Sequence, residues 1–133
     1  MSNRSVVEIV TEWDIVAARQ LGRNEAKEIG FGTVDRARIT TTISELARNI
    51  YLYALSGKIV IERIAEGDRN GIRILAVDKG QGIKDVQKVM EEGFSTSGGL
   101  GAGLPGVKRL MDSLEIQSNI GEGTTIKAEK WLK

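Results

Sequence analysis

Gly98-Gly99-Leu100-Gly101-Ala102-Gly103-Leu104-Pro105-Gly106 joins a glycine-rich turn to the start of a helix. Five of the nine residues are glycine, and Pro105, the only proline of the chain, falls in the first turn of the predicted helix. A proline there costs little, because the first N–H groups of a helix have no partner within it. Glycines just before a helix let successive backbone N–H groups converge on one point, and the helix dipole adds positive potential. The stretch therefore suits a phosphate. It is not a P-loop, since no Gly-Lys-Ser/Thr follows, and the residues before it do not read as the strand of a dinucleotide-binding fingerprint. A flexible loop is the competing reading, weakened by so dense a run of glycine against a helix start.

Three further patterns stand around it. Asp78-Lys79-Gly80-Gln81-Gly82 closes the strand-like run Ile72 to Val77. A carboxylate at a strand end can accept a hydrogen bond from an exocyclic amine such as that of adenine, and the glycines let backbone pass close to a flat ring. Alone, the pattern reads equally well as a strand-ending turn. Glu45-Leu46-Ala47-Arg48-Asn49 lies within a long helical pattern, with Glu45 and Asn49 one turn apart on one face. At about 100° per residue that face borders the apolar stripe, so both side chains are expected beside the core, facing a cavity. A carboxylate and an amide oxygen so placed can polarise a hydroxyl and hold a hard cation; alone, such a pair is more often a solvated helix flank. Gly121-Glu122-Gly123-Thr124 enters the last strand, where a threonine hydroxyl can meet a base, or simply close a hairpin.

The elements between these patterns are predicted as follows. A strand covers Val6 to Val10, and Thr11 caps a helix with Asp14 as its short-armed partner. That helix stops at Gly30. A second runs from about Val34 to Leu55 on the stripe Ile39, Ile43, Leu46, Ala47, Ile50, Tyr53 and Ala54, ended by Gly57. Strands at Ile59 to Ile64 and Ile72 to Val77 form a hairpin through the turn cluster Gly67 to Gly71. A short helix follows over Asp85 to Glu91, then the helix Leu104 to Met111, and a closing hairpin of strands Leu114 to Ser118 and Thr124 to Trp131. The order implies an α/β two-layer sandwich, a mixed sheet covered by helices on one face, in a single domain over residues 1–133. Tyr51, Leu52 and Leu55 are expected in the core and its rim rather than in a partner patch.

Composition narrows the chemistry. The chain has 133 residues, 41% hydrophobic and 28% charged, the balance of a globular domain. It has neither cysteine nor histidine, which removes disulfides, thiolate or imidazole metal sites and Ser-His-Asp catalysis, and leaves a carboxylate, a lysine or a tyrosine to serve as any general base. A net charge of +1 and only two each of Phe, Tyr and Trp give no footing for nucleic acid. No apolar run is long enough to span a membrane, and no signal-peptide pattern is seen; a cytoplasmic location is expected.

Together, and in this order, the four patterns match the N, G1, G2 and G3 boxes of the GHKL (Bergerat-fold) ATPases, which the chain resembles nearly throughout. Within that group it is similar to the small bacterial anti-sigma regulatory serine/threonine kinases, and most of all to the stressosome switch kinases. Residues 11–19, Glu45 to Tyr51 and Gly93 to Leu104 carry the closer likeness. The resemblance implies ATP and Mg²⁺, with Glu45 as general base and Asn49 as metal ligand. It implies Asp78 at the adenine amine, with Gly80 and Gly82 shaping the wall and Thr124 in support. Phe94 to Gly103, including Gly98 and Gly99, would form the ATP lid, and the N–H groups of Gly101, Ala102, Gly103 and Leu104 would hold the phosphates. The implied partners are a STAS-domain substrate of the stressosome scaffold type and a PP2C-type phosphatase activated in turn. Several relatives carry a histidine soon after the N-box asparagine; here Ile50-Tyr51-Leu52-Tyr53 follows. The rival reading is a nucleotide-gated module or anti-sigma factor that sequesters a partner without transferring phosphate.

Overall fold

A computed structural model describes residues 3–54, 56–80 and 103–133. Its elements, in chain order, are β1 (Arg4–Ile9), α1 (Glu12–Ile29), α2 (Thr33–Tyr53), β2 (Gly57–Glu66), β3 (Arg69–Asp78), α3 (Gly103–Leu110), β4 (Ser113–Asn119) and β5 (Gly123–Trp131). The expected helix over Asp85 to Glu91 lies outside the described residues.

The five strands form one sheet in the order β1-β2-β3-β5-β4. The two-layer sandwich is as expected, but every neighbouring pair is antiparallel where a mixed sheet was expected. Two helices separate β1 from β2, so the chain returns beside β1 running the opposite way. β3 and β4, which flank α3, do run in the same direction, but β5 folds back from β4 and inserts between them. The parallel neighbours that a strand-helix-strand order suggests are thus split.

The sheet turns Ile59, Ile61, Ile72, Ile74, Ala76, Ile126 and Ala128 toward the helices, all buried. Against them α2 lays Ile39, Ile43, Leu46, Ala47 and Ile50, a 3.6-residue stripe that is likewise buried. The buried residues of α1 are the small Ala18, Gly22 and Ala26, with Ile15, Leu21 and Ile29 partly buried against the core beside them. A Cβ at Gly22 would sit 2.0 Å from Ile43 Cδ1, so glycine is what lets α1 approach α2 so closely. The opposite sheet face carries a row of charge across four strands: Arg4 pairs with Glu62 at 3.9 Å, Glu62 with Arg73 at 3.7 Å, and Arg73 with Glu129 at 2.6 Å. Such a row marks the watered side, and each pair adds little stability.

Local signals explain most boundaries. The Asp14 carboxylate accepts from the N–H groups of Val10 and Thr11, both at 2.8 Å, and from the Thr11 hydroxyl at 3.3 Å. These bonds, that from the Thr11 N–H foremost, hold the Asp14 pKa below its ordinary value. A carboxylate whose pKa falls on folding stabilises the fold above its unfolded pKa, and that contribution is lost as pH drops through the folded value. Asp14→Asn is therefore expected to lower the thermal midpoint at neutral pH, with the gap to wild type closing below about pH 4. A gap constant from pH 7 to pH 3 would contradict the charged cap.

α1 ends as expected on Gly30, at φ 117°, whose N–H donates to Ala26 and Lys27. α2 ends earlier than expected, at Tyr53, with Ala54 already extended. Gly57 is no helix stop; it begins β2, where a Cβ would meet Ile50 Cγ2 at 2.6 Å and the Val77 carbonyl at 2.8 Å. The expectation of a core role for the helix end is corrected at Tyr51 and Leu52, which are exposed, as is Tyr53; Leu55 lies outside the described residues. The β2–β3 turn shrinks to Gly67-Asp68, because Asn70 and Gly71 pair with Ala65 and Ile64.

Candidate functional site

The end of β3 is where the sheet presents a carboxylate. Asp78 sits between two register partners, Gly57 on β2 and Thr124 on β5. Its Oδ1 accepts the Gly80 N–H at 2.8 Å, a turn closed by the side chain, which fixes the carboxylate just past the strand. A Cβ at Gly80 would lie 3.2 Å from that Oδ1 and 3.2 Å from both Cα and Cβ of Ala54, so the backbone here passes tightly between the end of α2 and the carboxylate. Gly123 shows the same economy of space. It adopts φ +105°, and a Cβ would stand 2.1 Å from the Asp78 carbonyl oxygen. Only glycine lets β5 begin so close to the end of β3.

Thr124 follows, turned inward and buried, with its Oγ1 2.8 Å from Ser118 Oγ on β4. Ser118 also donates to the Gly123 carbonyl at 3.2 Å. Asp78, Thr124 and Ser118 thus lie in one row across β3, β5 and β4. Asp78 and Thr124 had been expected as neighbours; Ser118 had not, although counting back across the Asn119–Gly123 turn places it opposite Thr124.

Along α2 the second half of the site rises from this floor. Glu45 is 7% exposed, and its Oε2 is the one buried side-chain oxygen or nitrogen among the described residues with no hydrogen-bond partner. Asn49, one turn on, is half-buried. A carboxylate buried with an unmet oxygen is costly to the fold, on the order of 1–3 kcal/mol, unless something else meets it. At 1.5 Å per residue, Glu45 stands about 13 Å along the helix from Ala54, the residue that touches Gly80. The helix therefore spaces the Asp78 carboxylate, beside its C-terminal end, from the buried Glu45 carboxylate further up.

α3 packs on α2, with Leu104 and Val107 buried on its apolar side. Lys130 of β5, itself 7% exposed, donates to the Leu110 carbonyl at 2.9 Å and lies 3.7 Å from Asp35 in the first turn of α2. That one ammonium ties the C-terminus of α3 to the N-terminus of α2, and so fixes the helix whose opening residues, Gly103 and Leu104, were expected at phosphate. No sequence pattern marks it, since a lysine in a strand is ordinarily solvated. Gly82, Gly98, Gly99, Gly101 and Ala102, and with them the lid from Phe94, lie outside the described residues.

The residues present fit a purine nucleotide: an acceptor-rich end at Asp78 and Thr124, a close-passing backbone at Gly80 and Gly123, and an unmet carboxylate oxygen up the helix. Comparison with known proteins agrees. Residues 34–133 match the family described as histidine kinase-, DNA gyrase B-, and HSP90-like ATPase. The chain is 68% identical, over the whole of both chains, to the serine/threonine-protein kinase RsbT of Bacillus subtilis (strain 168). It is 36% identical to the anti-sigma F factor of Caldanaerobacter subterraneus subsp. tengcongensis, over 72% of this chain and 70% of that one. Among solved structures it resembles the RsbU and RsbW domains of a Mycobacterium tuberculosis protein, with a TM-score of 0.64 and 21% identity, covering 97% of this chain and 33% of the longer one. It also resembles the mycobacterial sensor histidine kinase MprB, with a TM-score of 0.57 and 19% identity, over 96% and 97% of the two chains. These last two likenesses speak for the fold.

Proposed function

We propose a nucleotide-driven partner switch for this chain, which belongs to the histidine kinase-, DNA gyrase B- and HSP90-like ATPases and, within them, to the RsbT-type serine/threonine-protein kinases. Its activity is ATP-dependent phosphorylation of protein serine or threonine. The finer reading is that the acceptor is a STAS-domain protein of the stressosome-scaffold type, and that the released kinase then activates a PP2C-type phosphatase, in the cytoplasm. Among the described residues no helix is long and apolar enough to cross a membrane.

Phosphoryl transfer asks mainly for alignment and charge neutralisation. Asp78 would accept from the adenine amine with Thr124 beside it, and Gly80 would lie against the ring. The N–H groups of Gly103 and Leu104, at the start of α3, would hold phosphate, joined by those of Gly101 and Ala102. Asn49 would supply an oxygen to Mg²⁺, whose bound charge would neutralise the triphosphate. Glu45 would take the proton of the attacking hydroxyl.

One observation carries the catalytic reading over a binding-only one: the Glu45 carboxylate is buried with an unmet oxygen, one turn from Asn49. A module that merely closes on a nucleotide has no use for so costly a group. The test is a transfer assay with γ-³²P-labelled ATP, Mg²⁺ and a panel of STAS-domain proteins from the same genome, with Glu45→Ala as control. Label on a STAS serine or threonine, absent in the control, is the expected result. ATP binding without label on any of them would favour the sequestering module, the reading that the likeness to an anti-sigma F factor also supports.

A further inference from the structure

The row Asp78, Thr124, Ser118 holds two hydroxyls and therefore two protons to place. Ser118 Oγ lies 3.2 Å from the Gly123 carbonyl, which can only accept, so the Ser118 proton points there. Either hydroxyl could donate across the 2.8 Å contact between them; with the Ser118 proton on that carbonyl, the donor is Thr124. Its proton so engaged, Thr124 offers only lone pairs on its remaining side. That side borders Asp78, its register partner on β3, and an ionised carboxylate is likewise acceptor-only.

We infer that Ser118 is a specificity-positioning residue for the nucleotide base: by accepting the Thr124 proton it keeps Thr124 an acceptor, so that the pocket end shows two acceptors in a row. The inference rests on the assignment of Asp78 and Thr124 to the base. Two adjacent acceptors match an exocyclic amine, which brings two N–H donors. A 6-oxo purine brings a carbonyl to the same place and meets lone pairs on both sides. Site hydrogen-bond polarity of this kind discriminates more sharply than shape. Ser118 itself need not touch the base. Without its oxygen, the Thr124 hydroxyl can rotate and donate to a carbonyl, so the pocket loses part of its aversion to hypoxanthine and guanine.

The experiment is calorimetric titration of ADP and IDP, which differ in the amine against the carbonyl and do not turn over. Wild type, Ser118→Ala, Ser118→Thr and Asp78→Asn are compared. Wild type is expected to prefer ADP. In Ser118→Ala the ratio of IDP to ADP dissociation constants should fall roughly three- to tenfold, the worth of one neutral hydrogen bond. Ser118→Thr restores the oxygen and should restore the ratio, which a merely structural role for the serine would not require. A ratio unchanged in Ser118→Ala, or altered equally in Ser118→Thr, overturns the inference. Should Ser118→Ala not fold, Ser118→Cys takes its place: its weakly accepting sulfur should lower the ratio in the same direction, and an unchanged ratio there is equally fatal. The Asp78→Asn arm separates the two levels. If it leaves ADP affinity intact, the base assignment itself falls; if it weakens ADP while the Ser118 ratio stays fixed, only the role of Ser118 falls.

Discussion

Glu45→Ala is expected to abolish phosphate transfer while leaving nucleotide binding largely intact. A general base positioned for proton removal contributes roughly 10²- to 10⁴-fold in rate, about 3–5 kcal/mol of barrier. Nothing in the geometry gives Glu45 a share in holding the base, since it stands two and a half turns up α2 from Ala54, the contact of Gly80. Affinity and rate should therefore separate. A second readout checks the same assignment from the folding side. The unmet Oε2 is a burden that the fold carries without local return. Glu45→Gln, nearly isosteric and uncharged, should accordingly leave the thermal midpoint unchanged or raise it, even as transfer collapses. Stability gained where activity is lost is the mark of a group kept for chemistry. Transfer undiminished in Glu45→Ala would remove it as the base. A large loss of stability in Glu45→Gln would recast it as a structural residue.

Why these residues could be found from sequence, and others could not, follows from what kind of signal each sends. Glu45 and Asn49 sit on a helix whose apolar stripe is regular for several turns, so their place at its border could be counted out. Asp78, Gly80 and Thr124 sit where apolar runs end, and a strand end is legible because glycine and aspartate interrupt the pattern. The two-layer sandwich followed from the order of elements, but the antiparallel sheet did not: order alone cannot tell that β5 slips between β3 and β4. Long-range contacts were similarly silent. Lys130 reads as an ordinary strand lysine until α3 and α2 are both in place around it, and Gly57 reads as a helix stop until Ile50 and Val77 are seen against it. Ser118 is an intermediate case. The hairpin arithmetic that places it opposite Thr124 was available, yet its importance depends on Asp78 being the next residue in the row, a fact of β3–β5 pairing.

Asp78→Asn should produce the largest loss of nucleotide affinity of any single change at the site. The substitution keeps an oxygen that can accept the Gly80 N–H, now held at 2.8 Å, so the turn after β3 should survive. It also keeps the volume that fits between Gly57 and Thr124. What it removes is the charge, and with it one of two acceptors facing the base: an amide turned to satisfy Gly80 presents NH₂ donors where adenine also presents a donor. A hydrogen bond to a charged group is worth about 1.5–3 kcal/mol, so adenine nucleotides should bind roughly ten- to 150-fold more weakly by calorimetry. The proposed phosphate contacts lie at the start of α3 rather than at Asp78, so nucleotides with a 6-oxo base should weaken far less, and the preference between the two bases should narrow or reverse. The direction of this shift matters more than its size. A misfolded pocket would lose both nucleotides together, whereas loss of an acceptor from a two-acceptor row must fall on the amine. Unchanged affinity for ADP would sink the assignment of Asp78 to the base, while leaving the nucleotide itself and the role of Glu45 standing.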